Sequence, residues 1–126
     1  MKQVIYTKEA PDPIGPYSQA IQAGNMLFLS GQVAIDPDSN ELIAGGIDQE
    51  TEQVMKNIEK LLKHSGYSFS EVVKTTIFLS DMRHFAEVNK VYGSFFKSDF
   101  PARETVAVLG LPKNANVEIS VTAYKA

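Results

Sequence analysis

Short stretches in which apolar and polar residues mix at strand-like spacing predict six β-strands. They cover residues 2–7, 18–23, 25–30, 72–79, 104–109 and 117–124. The segment 72–79 is especially rich in the β-branched and aromatic residues that strands favour. The Gly24-Asn25 pair predicts a hairpin between the second and third strands, because both residue types tolerate a positive φ. Residues 33–47, which include Asp36-Pro37 and Gly45-Gly46, are expected to form loop and turns.

Two other segments repeat their apolar residues at helical spacing. The first predicts a helix over residues 48–64, with a buried stripe made of Val54, Ile58, Leu61 and Leu62. Asp48 is expected to cap this helix, and Gly66 is expected to end it in the left-handed conformation. The second helix is predicted over 82–97, capped by Ser80-Asp81, with an inner side made of Phe85, Val88, Tyr92, Phe95 and Phe96.

The order β-β-β-α-β-α-β-β predicts an α+β fold, with two helices on one face of a mostly antiparallel or mixed six-stranded sheet. A length of 126 residues is that of a single domain, spanning 1–126. The strand 104–109 is apolar on both faces, and such strands are normally buried on both sides. Since two helices can cover only one face, the second is either curled shut or covered by another chain. We therefore expect a homo-oligomer.

Composition narrows the possible chemistry. The chain is 44% hydrophobic and 21% charged, which is ordinary for a globular protein. It has no cysteine, which excludes disulfides, thiolate nucleophiles, zinc–cysteine sites and iron–sulfur clusters. A formal net charge of −3 argues against a nucleic-acid surface. No apolar run has the length of a signal peptide or a membrane span, so a cytoplasmic protein without membrane contact is expected.

The usual acid–base and phosphate-binding signals are weak. His64 falls in the last turn of the first predicted helix and His84 in the first turn of the second. Both positions favour a structural or solvent-facing histidine, and neither residue has the partner one helical turn away that a metal site needs. No glycine-rich phosphate loop is present. Dependence on a nucleotide or a metal is therefore not expected.

Four other residues are candidates for ligand contact, each with a plainer alternative. Arg103 immediately precedes an apolar strand and could bind a carboxylate bidentately, although its spacing alone favours a surface ion pair. Glu118 lies on the polar side of the last strand, where it is either solvated or, if an oligomer buries it, able to activate water. Asn89 could donate to a ligand or be satisfied locally. Tyr17, after a Gly-Pro turn, could form a lid or simply pack at a strand start.

Several segments together match one family pattern. They are IGPYSQA at 14–20, SGQ at 30–32, TEQV at 51–54, VVKTT at 72–76, FLSDM at 78–82 and FAEVN at 85–89. The most specific part is PAR at 101–103, followed by LP at 111–112 and VEI at 117–119. On these residues the chain resembles, nearly end to end, the Rid family of reactive intermediate deaminases, also called the YjgF or RidA family.

The resemblance implies a chorismate-mutase-like α+β subunit, assembled as a homotrimer with sites in the clefts between subunits. It implies hydrolysis of reactive 2-imino or enamine acids, such as 2-iminobutanoate and 2-iminopropanoate, to 2-oxo acids and ammonia. It also implies that no cofactor or metal is needed. Two other functions are ascribed to relatives: a ligand-binding metabolic regulator without turnover, and an endoribonuclease, against which the negative charge argues.

The resemblance also assigns roles to residues. Arg103 matches the arginine that binds the substrate carboxylate, and Glu118 matches the glutamate that positions water and accepts its proton. Tyr17 matches a tyrosine bordering the pocket, while Gly31 and Asn89 match further pocket positions. Thr105 stands where many members have cysteine and would form a pocket wall and offer a backbone amide. Glu104 stands where serine is common, and as the neighbour of Arg103 it should point to the opposite face.

Overall fold

The computed structural model describes residues 1–126. It contains two helices, α1 (Ile47–His64) and α2 (Phe85–Gly93). In chain order its strands are β1 (Gln3–Ile5), β2 (Ala20–Ala23), β3 (Met26–Leu29), β4 (Ile35–Asp36), β5 (Glu41–Leu42), β6 (Val72–Leu79), β7 (Ala102–Ala107) and β8 (Val117–Tyr124).

Six of these strands form one mixed sheet in the order β1-β2-β3-β8-β6-β7. All neighbours pair antiparallel except β6 and β7, which run parallel and are connected through α2. The hairpin between β2 and β3 turns at Gly24, whose φ is +59°. The predicted α+β class, the six-stranded mixed sheet and the two helices are confirmed.

The hydrophobic core lies between the helices and one face of the sheet. The stripe on α1 is fully buried, and it packs against alternate residues of β8, Val117, Ile119, Val121 and Ala123. No helix covers the opposite face, and the side chains of Phe28 and Val106 are each 45% exposed there. Of the two possibilities raised by the apolar pattern, a face curled shut within the chain is therefore wrong.

The first helix differs from the prediction at its start. It begins at Ile47 with Gly46 as the N-cap, so the prediction that Asp48 is the cap is wrong. Ile47 packs against the core, which draws the first turn one residue earlier. Asp48 and Glu50 lie in that first turn, near the positive end of the helix dipole. The predicted left-handed stop is confirmed, because Gly66 has a φ of +82°.

The second helix is shorter than the predicted 82–97. Met82–His84 forms a separate 3₁₀ turn, capped by the Asp81 side chain, which accepts from the Arg83 N–H. The α-helix ends at Gly93, and Phe96 then packs beside the Phe69 ring, with ring centroids 5.3 Å apart. Phe95 and Phe96 therefore continue the helical spacing of apolar residues in the sequence, but they pack in an aromatic cluster after the helix has ended.

The segment 33–47 was predicted to be loop and turns only. It also contains the small two-stranded ribbon formed by β4 and β5. Ile35 pairs with Leu42, and the Asp36 carboxylate accepts from the Asp38 N–H in the connecting turn. The buried side chain of Asn57 on α1 donates to the carbonyls of Val33 and Ile35. The strand predicted at 104–109 also begins and ends two residues earlier, because β7 spans 102–107. No helix of the structure combines the length and the apolar character needed to cross a bilayer.

Candidate functional site

The predicted site residues fall into two groups on opposite faces of the sheet. Arg103 pairs with Thr75 of β6, and Thr75 is fully buried under the helices. Glu118 pairs with Phe78 of the same strand. Because side chains alternate along a strand, positions 75 and 78 point to opposite faces. Arg103 therefore lies on the helix-covered face and Glu118 on the open face, so one chain does not bring the two together.

The Arg103 half-site is built on aromatic rings. The guanidinium carbon lies 5.2 Å from the Tyr92 ring centroid and 5.8 Å from that of Phe85, both within cation–π range. Arg103 takes part in none of the four ion pairs of the chain. The other arginine, Arg83, is paired with Asp81. The surface ion pair considered for Arg103 is therefore wrong, and its donors are free to bind an anion.

Tyr92 is fixed beneath that guanidinium. It is 4% exposed, and its hydroxyl donates to Oγ1 of the buried Thr75 over 2.9 Å. Burial raises the pKa of Tyr92, so the phenol remains neutral at physiological pH. The hydrogen bond and the burial hold the ring in one orientation, which in turn restricts where the Arg103 head group can lie.

Of two further predicted residues, Asn89 lines the cavity beside Arg103, and Thr105 shares only its sheet face. Asn89 lines the same cavity as Arg103, together with Tyr92, Phe100 and Pro101. Thr105 lies on the same face as Arg103, two residues further along β7. The Asn89 Oδ1 and Thr105 Oγ1 atoms are buried and have no hydrogen-bond partner within the chain. Asn89 is therefore not locally satisfied, which was the alternative considered for it.

The Glu118 half-site lies on the open face. Its cavity is lined by Ile14, Tyr17, Gly31, Gln32, Pro112 and Glu118. The Glu118 side chain is partly buried and pairs with no cation. Burial raises the pKa of this carboxyl, with no hydrogen bond or neighbouring charge to offset it. A carboxyl in this state can exchange a proton with water nearer to neutral pH than an exposed glutamate can.

Gly31 provides the space that the Glu118 carboxyl occupies. A Cβ at position 31 would lie 2.8 Å from Glu118 Cδ, closer than real side chains approach. The backbone here is fixed by two hydrogen bonds between Gln32 and Ile119, of 2.8 and 3.0 Å. The segment 30–32 thus contacts β8 beside Glu118, and the Glu118 carboxyl lies against Gly31.

Tyr17 forms one wall of the Glu118 half-site. Its hydroxyl accepts from the Ile14 N–H over 3.1 Å, and its own N–H donates to the Gly15 carbonyl over 2.8 Å. These bonds close the Gly-Pro turn on itself and present the ring to the cavity. The side chain is 46% exposed, so Tyr17 borders the site and is not a packed core aromatic.

Sequence reasoning missed the roles of Phe85 and Tyr92, which it placed only on the inner side of the second helix. Their signal was present, since they lie four residues before and three after Asn89 and so share its helix face. Glu104 lies opposite Arg103 as predicted, and hydrogen bonds from Lys74 and Thr76 lower its pKa. Neither histidine lines either half-site. No three acidic or histidine side chains converge in a way that could hold a metal ion.

Known proteins resemble this chain over nearly its whole length. The family model described as Endoribonuclease L-PSP matches residues 7–125. The human protein named 2-iminobutanoate/2-iminopropanoate deaminase is 44% identical over 125 residues, which are 99% of this chain and 91% of the human one.

Solved structures show the same fold. One from Yersinia pestis, described as a Rid family protein, has a TM-score of 0.96 at 47% identity, covering 99% of this chain and 100% of its own. Escherichia coli TdcF, solved with bound serine, has a TM-score of 0.94 at 33% identity, covering 98% and 99%. The chorismate-mutase-like architecture expected from the resemblance is confirmed by these neighbours.

Proposed function

The chain belongs to the Rid family, and we propose that it hydrolyses 2-imino acids and their enamine tautomers to 2-oxo acids and ammonia, in sites formed between copies of the chain. The observation that carries the proposal is the unpaired Arg103, held over two aromatic rings with no anion of its own chain. Such a group suits a small carboxylate ligand.

Assembly supplies the second half of each site. Arg103 and Glu118 lie on opposite faces of one sheet, so they act on one molecule only if they come from two copies. When one surface of each copy contacts a different surface of the next copy, the copies form a closed ring if the rotation between neighbours is a whole fraction of a turn. The open face offers an apolar surface for such a contact, including Phe28 and Val106. Three copies in the ring is the number that the family resemblance implies.

The reaction then follows from the two half-sites. Arg103 binds the carboxylate and fixes C2 of the protonated imine, which is already electrophilic. Glu118 takes a proton from water as the oxygen bonds to C2, and the C=N π electrons move onto nitrogen. Glu118 then gives its proton to the carbinolamine nitrogen. As the C–N bond breaks, the electron pair of the hydroxyl O–H bond forms the C=O bond, and the hydroxyl proton passes to Glu118 and from there to the released ammonia. The protonated imine and water thus give 2-oxo acid and ammonium, with Glu118 regenerated as the carboxylate.

The burial of Glu118 supports this double role. A group that both accepts and returns a proton works best when its pKa lies near the operating pH. Burial moves the pKa of Glu118 upward in that direction. The relatives add support of another kind: the human protein is named for this reaction, and serine, which carries a carboxylate, is bound in TdcF.

The test is ammonia release from 2-iminobutanoate generated in place by a threonine dehydratase. Arg103→Ala should reduce kcat/KM to background, and Arg103→Lys should recover little, because an ammonium cannot form the paired hydrogen bonds of a guanidinium. Arg83→Ala is the matched control, since Arg83 is exposed, paired with Asp81 and outside both half-sites. Full activity of folded Arg103→Ala would refute the proposal. Ligand binding by the wild type without turnover would favour the regulator instead.

A further inference from the structure

Gln19 makes an unusually complete set of hydrogen bonds to one loop. It is 2% exposed, and its Oε1 accepts from the Thr7 N–H over 2.7 Å. Its Nε2 donates to the carbonyls of Thr7, Ala10 and Pro11 over 3.0, 3.3 and 2.9 Å. All these partners belong to the segment between β1 and β2, so a single amide on β2's entrance satisfies four backbone groups of that loop.

The loop has few other attachments. Outside the helices and strands, residues 6–18 form one backbone–backbone hydrogen bond among themselves, from Tyr17 to Gly15. Its other side-chain hydrogen bonds are the exposed Tyr6–Asp12 bond, the Glu9 N–H to Thr7 Oγ1, the Ile14 N–H to the Tyr17 hydroxyl, and the Ser30 hydroxyl to the Ser18 carbonyl. An ion pair also joins two exposed side chains, Lys60 and Glu9. The buried Gln19 amide, together with the burial of Thr7, Ala10 and Pro11, therefore keeps the loop against the sheet.

This loop covers the Glu118 half-site. Ile14, Tyr17, Pro11 and Gln19 all line the cavity that contains Glu118. If the loop lifted, water would reach the Glu118 carboxyl from this side. The loop therefore forms one wall of the cavity that holds the Glu118 carboxyl.

We propose that Gln19 is a positioning residue, which holds residues 7–17 over Glu118 and thereby keeps that half-site formed and shielded from water. For its effect on catalysis the proposal rests on the proposed function, but its effect on the loop and on Glu118 does not. Removing the amide leaves the Thr7 N–H and three carbonyls without partners, so the loop moves outward to water to satisfy them.

The electrostatic consequence has one sign. Burial raises the pKa of Glu118, so hydration lowers it toward the ordinary glutamate value of about 4.3. The other ionisable groups lining this cavity are Asp12 and Tyr17, both on the loop.

The test compares wild type with Gln19→Met, an uncharged change of similar size, in the assembled full-length protein. Amide hydrogen exchange at Thr7 should accelerate by about 100-fold while exchange at Ile119 is unchanged. Carboxyl carbon NMR should show Glu118 titrating at lower pH. In a plot of kcat/KM against pH, the acidic limb should move to lower pH together with the Glu118 titration, and the plateau value of kcat/KM should fall by about tenfold.

Ile58→Val is the matched control, because it loosens the core away from both half-sites and should leave the Glu118 titration unchanged. If Gln19→Met does not fold, Gln19→Asn replaces it, because the shorter side chain moves the amide away from the loop. The same changes in Thr7 exchange and Glu118 titration are expected. An unchanged Glu118 titration in a folded variant, or a wild-type Thr7 amide that exchanges as fast as that of exposed Lys8, would overturn the inference. Exchange and titration need no turnover, so they remain readable even if the wild type releases no ammonia.

Discussion

Two variants that are each inactive should restore activity when they are assembled together. Arg103→Ala removes one half-site and keeps the other, while Glu118→Gln does the reverse. Since the two residues lie on opposite faces of one sheet, the proposed function requires each site to take Arg103 from one chain and Glu118 from its neighbour. A mixed oligomer therefore contains sites in which a Glu118→Gln chain supplies the arginine and an Arg103→Ala chain supplies the glutamate.

The size of the recovery follows from counting. With equal amounts and random assembly, each site receives the correct first chain half of the time and the correct second chain half of the time. The intact fraction is about one quarter, whatever the number of chains in the ring. At a 1:3 ratio in either direction it falls to about three sixteenths. This symmetric dependence on the ratio distinguishes shared sites from contamination by wild type.

The assay is ammonia release after the two variants are unfolded, mixed and refolded, with mixed oligomers verified by native mass spectrometry. The control pairs Arg103→Ala with the double variant Arg103→Ala/Glu118→Gln, which should recover nothing, because no chain then supplies an arginine. Mixed oligomers with no activity above the separate variants would refute the shared site. Wild-type activity in either variant alone would refute the role of that residue.

Three further substitutions test separate parts of the structure. Glu118→Gln should raise Tm at pH 7, because burial raises the pKa of Glu118 and makes its charged form destabilising. In thermal melts the gain in Tm should shrink as the pH falls through the pKa of Glu118 in the folded protein, and it should vanish below about pH 4.3. An equal gain in Tm at pH 3 would contradict this reasoning. Gly31→Ala should lower kcat/KM about tenfold with little change in Tm, because its Cβ displaces the Glu118 carboxyl, and unchanged steady-state kinetics would show that the carboxyl has room to move. Gly66→Ala should cost about 1 kcal/mol in urea unfolding without altering kcat/KM, because an L-residue is strained at a φ of +82°.

The spacing of apolar residues predicted a helix or strand well where a single repeat, helical or strand-like, extended over the whole element. The first helix was predicted nearly to the residue, because its apolar stripe recurs at helical spacing from Val54 to Leu62 and a glycine follows the helix at position 66. The second was predicted too long, because Phe95 and Phe96 keep the helical spacing while packing as an aromatic cluster after the helix ends. The ribbon of β4 and β5 was missed because two-residue strands leave no periodic signal.

The sequence identified each candidate site residue, but it did not predict that Arg103 and Glu118 lie on opposite faces of the sheet. Alternation alone placed Glu118 opposite the buried side of the last strand, and it placed Glu104 opposite Arg103. Which face of the sheet Arg103 occupies depends on its pairing with Thr75, and such pairing between distant strands is a property of topology. The platform of Phe85 and Tyr92 needed the same information, since a helix pattern does not reveal what lies beneath it.

The position of β8 in the sheet has a consequence for how this chain folds during synthesis. This strand lies between β3 and β6, yet it is made after both, and Met26 pairs with Tyr124 almost a hundred residues later. Until the ribosome has delivered β8, the β2–β3 and β6–β7 pairs have no strand between them, and each exposes an open edge. The sheet therefore closes late, and for that interval the nascent chain carries two unpaired strand edges that nascent-chain binding factors or a neighbouring chain can contact.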